Sequence, residues 1–308
     1  MNDSSENEIR MSPLKFKSLS LESLDEIYPY LKGFKGMSCD YTAGGLLMWI
    51  DYFKYQYCVY GDTLFIKSVA EDNLERIAFA QPLGNMPIDK AVALLRQYCQ
   101  EEGYQLIFSA ITEFNLEKFL DLQPRQVYPL KAWCDYVYTM EALSTLSGKK
   151  LGKKRNHCNR FISENQDWSF EAIYPNNIIA VRECFAQVCA SASDALMAQY
   201  EREQVWKVLD RLEYYPFEAM CLKSGDKVVA FSIGEVLNNV LHVHIEKSLR
   251  DVNGSAEMVN WQFASYIAHK YPHVEWINRQ DDAGDDGLRR AKQSYYPAFL
   301  LRKYNVFF

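Results

Sequence analysis

No apolar run in the sequence is long enough to cross a membrane. The longest stretches without a charged residue, Ile77–Ile88 and Met258–His269, reach about twelve residues, where a span needs about 20. No transmembrane segment is therefore expected. The amino terminus, MNDSSENEIR, lacks the basic start and apolar stretch of a secretory signal. The cysteines (39, 58, 99, 134, 158, 184, 189 and 221) are scattered, with no Cys-x-x-Cys pair, so neither a disulfide framework nor a metal site is expected of them. Together these absences place the chain in the cytoplasm, with its thiols mostly small buried hydrophobes. Cys158, set in a basic segment, is the one expected nearer the surface. An excess of positive charge is lacking too. The 34 Lys+Arg stand against 40 Asp+Glu, a formal net charge of -6. That excludes a protein coating nucleic acid over its whole surface and leaves room for a local basic patch.

What is present reads as a soluble globular chain of two domains: 308 residues, 48% hydrophobic and 24% charged. Residues 1–12 are polar and expected to be a flexible leader. From Pro13 a strand-like LKFKSLSL leads into a helix, and the aromatic stretch Trp49–Tyr60 is rich in strand formers. Gly61-Asp62 then turns it into TLFIKSV, a predicted hairpin. DKAVALLRQYCQEEG has apolar residues at helical spacing, ends in glycine, and precedes a strand, QLIFSAI.

The second half repeats that order. EAMCLKSGDKVVAFSIGEV is a hairpin about Gly225-Asp226; VLHVHIEKSL is a strand, SAEMVNWQFASYIAHKY a helix and VEWINRQ a strand. Two units of hairpin, strand, helix and strand at similar spacing point to an internal duplication in an α+β chain. The boundary is expected near residue 142, dividing a domain of 13–141 from one of 142–308.

Three segments could carry chemistry. From Ala142 to Ile162 there is no acidic residue, yet Lys149, Lys150, Lys153, Lys154, Arg155 and Arg160 fall inside. Apolar residues at 146, 151, 158, 161 and 162 suggest a helix burying one narrow face. Its alternatives are a solvated lysine face or a field that attracts phosphate, from a nucleotide cofactor, a lipid head group or RNA. In the second segment, His242, His244 and Glu246 share one face of a strand, but ligands about 6–7 Å apart along a straight strand seldom converge on an ion, so no metal is expected. The turn after it, Asn253-Gly254-Ser255, opens a helix whose free N–H groups suit an anion. The third, WINRQDDAGDDGLRRAKQSYYP, concentrates Arg279, Asp281, Asp282, Arg289, Lys292, Ser294 and Tyr295 just past a strand. It fails as an EF-hand, because Gly284 and Gln293 occupy the third and twelfth loop positions counted from Asp282.

NRQDDAGDDGLRRAKQSYYP resembles the C-terminal signature of the phosphatidylglycerol lysyltransferase catalytic domain, loosely N-R-E-x-D-x-G-x-x-G-L-R-x-A-K-x-S-Y-x-P. GKKLGKKRNHCNRF and HIEKSLRDVNGSAEMVN are similar to its basic helix and its strand with glycine turn. The family's Glu is Gln280 here. The resemblance implies two tandem GNAT-like acyltransferase folds, each a mixed central sheet flanked by helices. It also implies transfer of an acyl or aminoacyl group, with aminoacyl-tRNA or acyl-coenzyme A as co-substrate and no tightly bound cofactor. The acceptor would be an amine or hydroxyl on a phospholipid head group, a peptide or a small molecule. Glu246 or Asp281 would be the base and Tyr295 a proton donor. Asn278, Arg279, Asp282, Arg289, Lys292 and Ser294 would shape the substrate site. Lys150, Lys154, Arg155, Gly254 and Ser255 would hold the donor's phosphates, with tRNA or coenzyme A, or a membrane surface, meeting the basic helix. The alternative is a non-catalytic ligand-binding or sensor protein on a degenerate acyltransferase fold.

Overall fold

A computed structural model describes residues 12–190 and 195–308. In chain order the first half runs β1 (Lys17–Ser18), α1 (Leu24–Gly33), α2 (Ala43–Leu47), β2 (Gln56–Val59), β3 (Thr63–Ala70), β4 (Asn73–Phe79), β5 (Leu83–Gly84), α3 (Ile88–Glu102), β6 (Ile107–Thr112), α4 (Glu113–Leu120) and β7 (Gln126–Pro129). The second runs β8 (Asp135–Thr139), α5 (Met140–Thr145), α6 (Gly152–Glu164), β9 (Trp168–Ala172), α7 (Ile178–Ala190), α8 (Leu196–Asp210), β10 (Glu218–Ser224), β11 (Lys227–Leu237), β12 (Val240–Ser248), α9 (Ser255–Lys270), β13 (Trp276–Asn278), α10 (Asp286–Gln293), β14 (Phe299–Leu301) and β15 (Lys303–Phe307). The leader expected at 1–12 lies almost wholly outside the described residues. Among those described, no helix is long and apolar enough to cross a membrane.

The strands form two mixed sheets. One is ordered β1-β2-β3-β4-β6-β15-β7, with β5 beside β3; the other is β14-β8-β13-β12-β11-β10-β9. Each contains the same device, a strand, a helix and a parallel strand: β4–α3–β6 pairs Phe79 with Phe108, and β12–α9–β13 pairs His242 with Asn278. That common order is the duplication read from the sequence. The chain is thus α+β with two units, each a mixed sheet flanked by helices.

Local signals set the hairpins. Gly61 and Asp62 take φ of 57° and 55°, and Gly225 takes 56°, the left-handed conformation of tight hairpin turns. Gly103, at φ 73°, ends α3 in the same way. The aromatic stretch is strand only from Gln56, because Lys54 turns left-handed at φ 54°. Trp49, Tyr52 and Phe53 instead form an aromatic cluster with Tyr200 of α8, tying the two halves together.

The two sheets exchange strands across position 142. Strand β8 lies on the N-terminal side of that division yet pairs with β13 and β14 in the second sheet. Strand β15, the end of the chain, returns to the first sheet between β6 and β7. Through this crossover, residues of both halves meet at one place.

Candidate active site

Strands β12 and β13 run parallel only as far as His242 and Asn278. Past that point β12 continues beside β11, whereas the Tyr136 carbonyl accepts from Arg279 N–H and the Gln280 carbonyl from Tyr136 N–H, drawing the chain towards β8. The strands therefore part, and two side-chain pairs bridge the gap. Arg279 donates to Glu246 Oε1 at 2.7 Å, and Gln280 Nε2 meets His244 Nδ1 at 3.0 Å. Gln280 and Ala283 hold φ of 60° and 46°, backbone strain of the kind that persists where surrounding contacts over-determine a loop.

Glu246 is gripped from both sides, since Asn260 Nδ2 of α9 donates to its Oε2 at 3.0 Å. The two partners each keep one polar atom unused: Arg279 Nη1 and Asn260 Oδ1 are buried without a hydrogen-bond partner among the described residues. Buried polar groups are nearly always satisfied, so a donor and an acceptor without a protein partner on either side of a clamped carboxylate single this cluster out. Tyr295 closes this side. Its ring lies 4.7 Å from the Arg279 guanidinium and 4.1 Å from the Lys154 ammonium, which also pairs with Glu257 at 3.2 Å. Burial holds the Tyr295 hydroxyl well above its ordinary range, hence protonated.

On the other side of Arg279 sits Asp281. Burial pushes its carboxyl up to about 6, against the opposing pull of Lys303. Lys292, nine-tenths buried, donates to the Asp281 carbonyl, and burial brings its ammonium down to about 8. The carboxylate lies within 4.8 Å of the polar atoms of Cys39 and Asp135. Asp135, wholly buried, accepts from Cys39 N at 3.1 Å and Asn278 Nδ2 at 2.8 Å. Lys303 reaches this group from β15, 2.7 Å from Asp40 and 2.8 Å from Asp135.

Three groups of expected site residues fare differently. Asn278, Arg279, Glu246, Asp281, Lys292 and Tyr295 converge, with Lys154 beside them. Asp282, Arg289 and Ser294 are occupied in holding the loop. Asp282 accepts two bonds from Arg289, at 3.0 and 2.9 Å, and one from the Tyr136 hydroxyl at 2.6 Å; Arg289 also reaches Asp286 at 2.9 Å, and Ser294 Oγ donates to the Ala291 carbonyl at 2.6 Å. Burial lifts the Asp282 carboxyl, but the Arg289 and Tyr136 bonds outweigh it and leave it below the usual range. Lys150 lies apart, exposed, over the Tyr296 ring at 5.8 Å.

The remaining expected phosphate ligands are placed differently from the reading of the turn. Arg155 donates to the carbonyls of Leu146 and Gly148, closing the end of α5. Ser255 is buried, its Oγ donating to the Leu249 carbonyl at 3.1 Å. Gly254, at φ 75°, packs so tightly under α6 that a Cβ there would lie 2.2 Å from the His157 carbonyl oxygen. Gly254→Ala is expected to destabilise the protein by more than about 1–3 kcal/mol, since overpacking adds to left-handed strain, and to lower the thermal midpoint with any ligand absent. A glycine serving a ligand alone would leave that midpoint unchanged. Cys158, expected near the surface, is fully buried on the inner face of α6, and burial pushes its thiol up to about 12. The apolar spacing of that helix demanded this placement, and the basic residues around it occupy the other faces.

Cys39, Asp40, Asp135, Asn260 and Lys303 were missed. A faint signal existed for two of them: Asp135 is the single charge in CDYVYT, and Lys303 follows Arg302 in the otherwise uncharged LLRKYNVFF.

The crossover also forms a cavity of about 790 Å³. Pro129, Leu130, Phe299 and Leu300 line it with apolar surface, and Lys131 and Arg302 are cations on its wall. Lys303 belongs to the same wall while its ammonium reaches the buried acids.

A profile of the family described as phosphatidylglycerol lysyltransferase, C-terminal, matches residues 34–307. Among solved structures, a conserved protein of unknown function from Bacteroides thetaiotaomicron VPI-5482 is 27% identical, with 96% of this chain and 99% of that one covered and a TM-score of 0.85. The structure of L-PGS from Bacillus licheniformis is 15% identical, covers 92% and 91%, and has a TM-score of 0.64. A GNAT-family acetyltransferase from Colwellia psychrerythraea is 9% identical, covers 96% and 98%, and has a TM-score of 0.51. At these identities the last two show the fold alone. An uncharacterized protein of Mycoplasmoides gallisepticum is 24% identical over 173 residues, 56% of this chain and 55% of its own, so the match spans about half of that relative's length.

Proposed function

The chain belongs to the phosphatidylglycerol lysyltransferase C-terminal family, and we propose that it moves an aminoacyl group from aminoacyl-tRNA to an amine or hydroxyl acceptor. The observation that carries this reading is the pair of buried polar atoms, Arg279 Nη1 and Asn260 Oδ1, that flank Glu246 without a partner among the described residues. An aminoacyl ester presents a carbonyl oxygen, to which Arg279 Nη1 would donate, and an α-ammonium, from which Asn260 Oδ1 would accept. A plain acyl group has the carbonyl but no ammonium to offer.

The residues divide the reaction among them. Asp281 takes the proton as the acceptor's nitrogen or oxygen attacks the ester carbon. Arg279 steadies the negative charge that builds on the carbonyl oxygen. The ester C–O bond then breaks, and the Tyr295 hydroxyl, on a ring held between the Lys154 ammonium and the Arg279 guanidinium, protonates the departing ribose oxygen. Lys149, Lys150 and Lys153 are exposed on α6 and its approach and would meet the phosphates of the tRNA. The crossover cavity, apolar with Lys131 and Arg302 outnumbering Glu113 on its wall, suits an acceptor with an anionic head and an apolar body, such as a phospholipid. Acyl-coenzyme A fits less well, because the Gly254 turn that would cradle its pyrophosphate is covered by α6.

Binding of charged tRNA, uncharged tRNA and coenzyme A, each at two salt concentrations, tests the donor. Charged tRNA is expected to bind best, with affinity falling steeply between 50 and 200 mM salt as about three phosphate contacts are lost. Micromolar coenzyme A binding together with indifference to tRNA would reverse the assignment.

A further inference from the structure

We propose that Lys303, delivered by the last strand of the chain into a sheet it does not share with the motif, is the positioning residue that holds Asp281 ready for proton transfer. The inference rests on the aminoacyl-transfer reading for its purpose, though not for its measurement.

The geometry is that of a buried cation holding acids that would otherwise repel. Lys303 is 1% exposed and contacts Asp40 at 2.7 Å, Asp135 at 2.8 Å and Cys39 Sγ at 3.7 Å. Two carboxyls contact it, Asp40 before α2 and Asp135 at the start of β8; Asp281 after β13 lies within 4.8 Å of Asp135 and Cys39, both of which Lys303 touches, and Glu71 after β3 adds its field. The other charged groups facing Asp281 are Lys292 of α10 and, through Lys292, Arg279. Burial alone would lower the ammonium of Lys303, yet Asp135 and Asp40 override it and keep it protonated at any physiological pH. Glu71 goes the other way: burial and then Asp40 push its carboxyl up, and its Oε2 is buried without a partner among the described residues. Lys303 thus pairs with Asp40 and Asp135, and its charge also opposes the rise of the Asp281 carboxyl.

Two consequences follow from the placement. Asp135 is also the group that holds Asn278 and the Cys39 backbone. Through it, Lys303 fixes the strand end from which Arg279 and Asp281 project. Removal of the cation would leave Asp281 facing Asp135 and Asp40 with only Lys292 opposing them. An acid that loses a neighbouring cation rises by about 1–3 pH units. A midpoint that starts near 6 would then pass above neutrality, and the group would be protonated when it is needed as a base.

The test needs no substrate. Aspartate carboxyl carbons are labelled with 13C, and each is titrated by NMR in the whole protein, with Asp281→Asn identifying the resonance. In the unaltered protein the Asp281 midpoint is expected near 6, and in Lys303→Met it is expected at least one unit higher. Lys303→Arg, which keeps the charge, is expected to stay within half a unit of the starting value. Should Lys303→Met fail to fold, Lys303→Met with Asp40→Asn removes one stranded carboxylate and is expected to show a smaller upward movement, since Asp40 is one of the charges that raise Asp281. An Asp281 midpoint unchanged in whichever of these variants folds overturns the proposal. A second arm follows release of the amino acid from charged tRNA against pH: the acid limb of the profile should move by the same amount as the NMR midpoint. Absence of any release from the unaltered protein counts against the proposed function while the titration still decides the role of Lys303.

Discussion

Arg279→Ala is expected to reduce aminoacyl transfer by about 10²–10³-fold, the usual cost of losing one donor to a developing oxyanion. The same change strands Glu246, whose side chain is 17% exposed beside an arginine that is 12% exposed. Breaking a buried pair from one side costs about 3–5 kcal/mol, so a loss of activity could be mistaken for unfolding. Arg279→Met combined with Glu246→Gln separates the two. With no charge left unpaired, the double variant should recover most of the thermal midpoint, and Asn260 can still bond the new amide. Transfer should stay at the level of the single variant. Recovery of turnover in the double variant would show that Arg279 serves only to hold Glu246, and the oxyanion role would fall.

Asp281→Asn is expected to act with opposite signs on turnover and stability. Loss of a general base costs about 10²–10⁴-fold in rate. In the unaltered protein the rate should climb as pH rises through about 6, where Asp281 ionises, and decline beyond about 8, where the Lys292 ammonium that holds the Asp281 carbonyl loses its proton. The asparagine variant should lose the acid limb and keep the alkaline one. For stability, the folded carboxyl titrates above its ordinary value of 3.8. Its neutral form therefore favours the folded state at low pH, and that contribution disappears as pH rises from about 4 to 6. Above that window the native protein holds an ionised group at a site that prefers a neutral one. Asparagine can still accept the bond from Ala283 N, made at 2.9 Å. Its thermal midpoint at pH 7.5 should consequently exceed that of the unaltered protein, by the equivalent of about 1–2 kcal/mol. A lower midpoint together with an intact acid limb would remove Asp281 from the mechanism.

The contrast between Asp281 and Asp282 explains how far a polar motif can be read. Both stand in the same run of acids, and the sequence treats them alike. In the structure Asp282 is neutralised by a two-pronged bond from Arg289, and Asp281 points to a buried cluster assembled from three other segments. Ser294 and Arg155 show the same limit, because both are spent on main-chain carbonyls close by in sequence. Density of functional groups singled out the segment, and geometry divided its members into those that border the gap between β12 and β13 and those that hold the loop. Gly254 looked like a phosphate cradle for its position before a helix, and only the approach of α6 reveals the steric reason for glycine there.

The sequence by itself determined the hairpins at Gly61 and Gly225, the glycine end of α3, the buried stripe of α6 and the repeated order of elements. All of these follow from turn chemistry or side-chain periodicity, which act between residues a few positions apart. It also located the motif from Asn278 to Tyr295 and, through its resemblance, the family. The tertiary structure alone decided that β8 and β15 change places between the sheets, and with them Asp135 and Lys303. That exchange brings Lys303 against Asp40 and Asp135, beside Asp281. A long-range encounter of this kind is fixed by strand pairing and burial of the whole chain, and no local pattern encodes it.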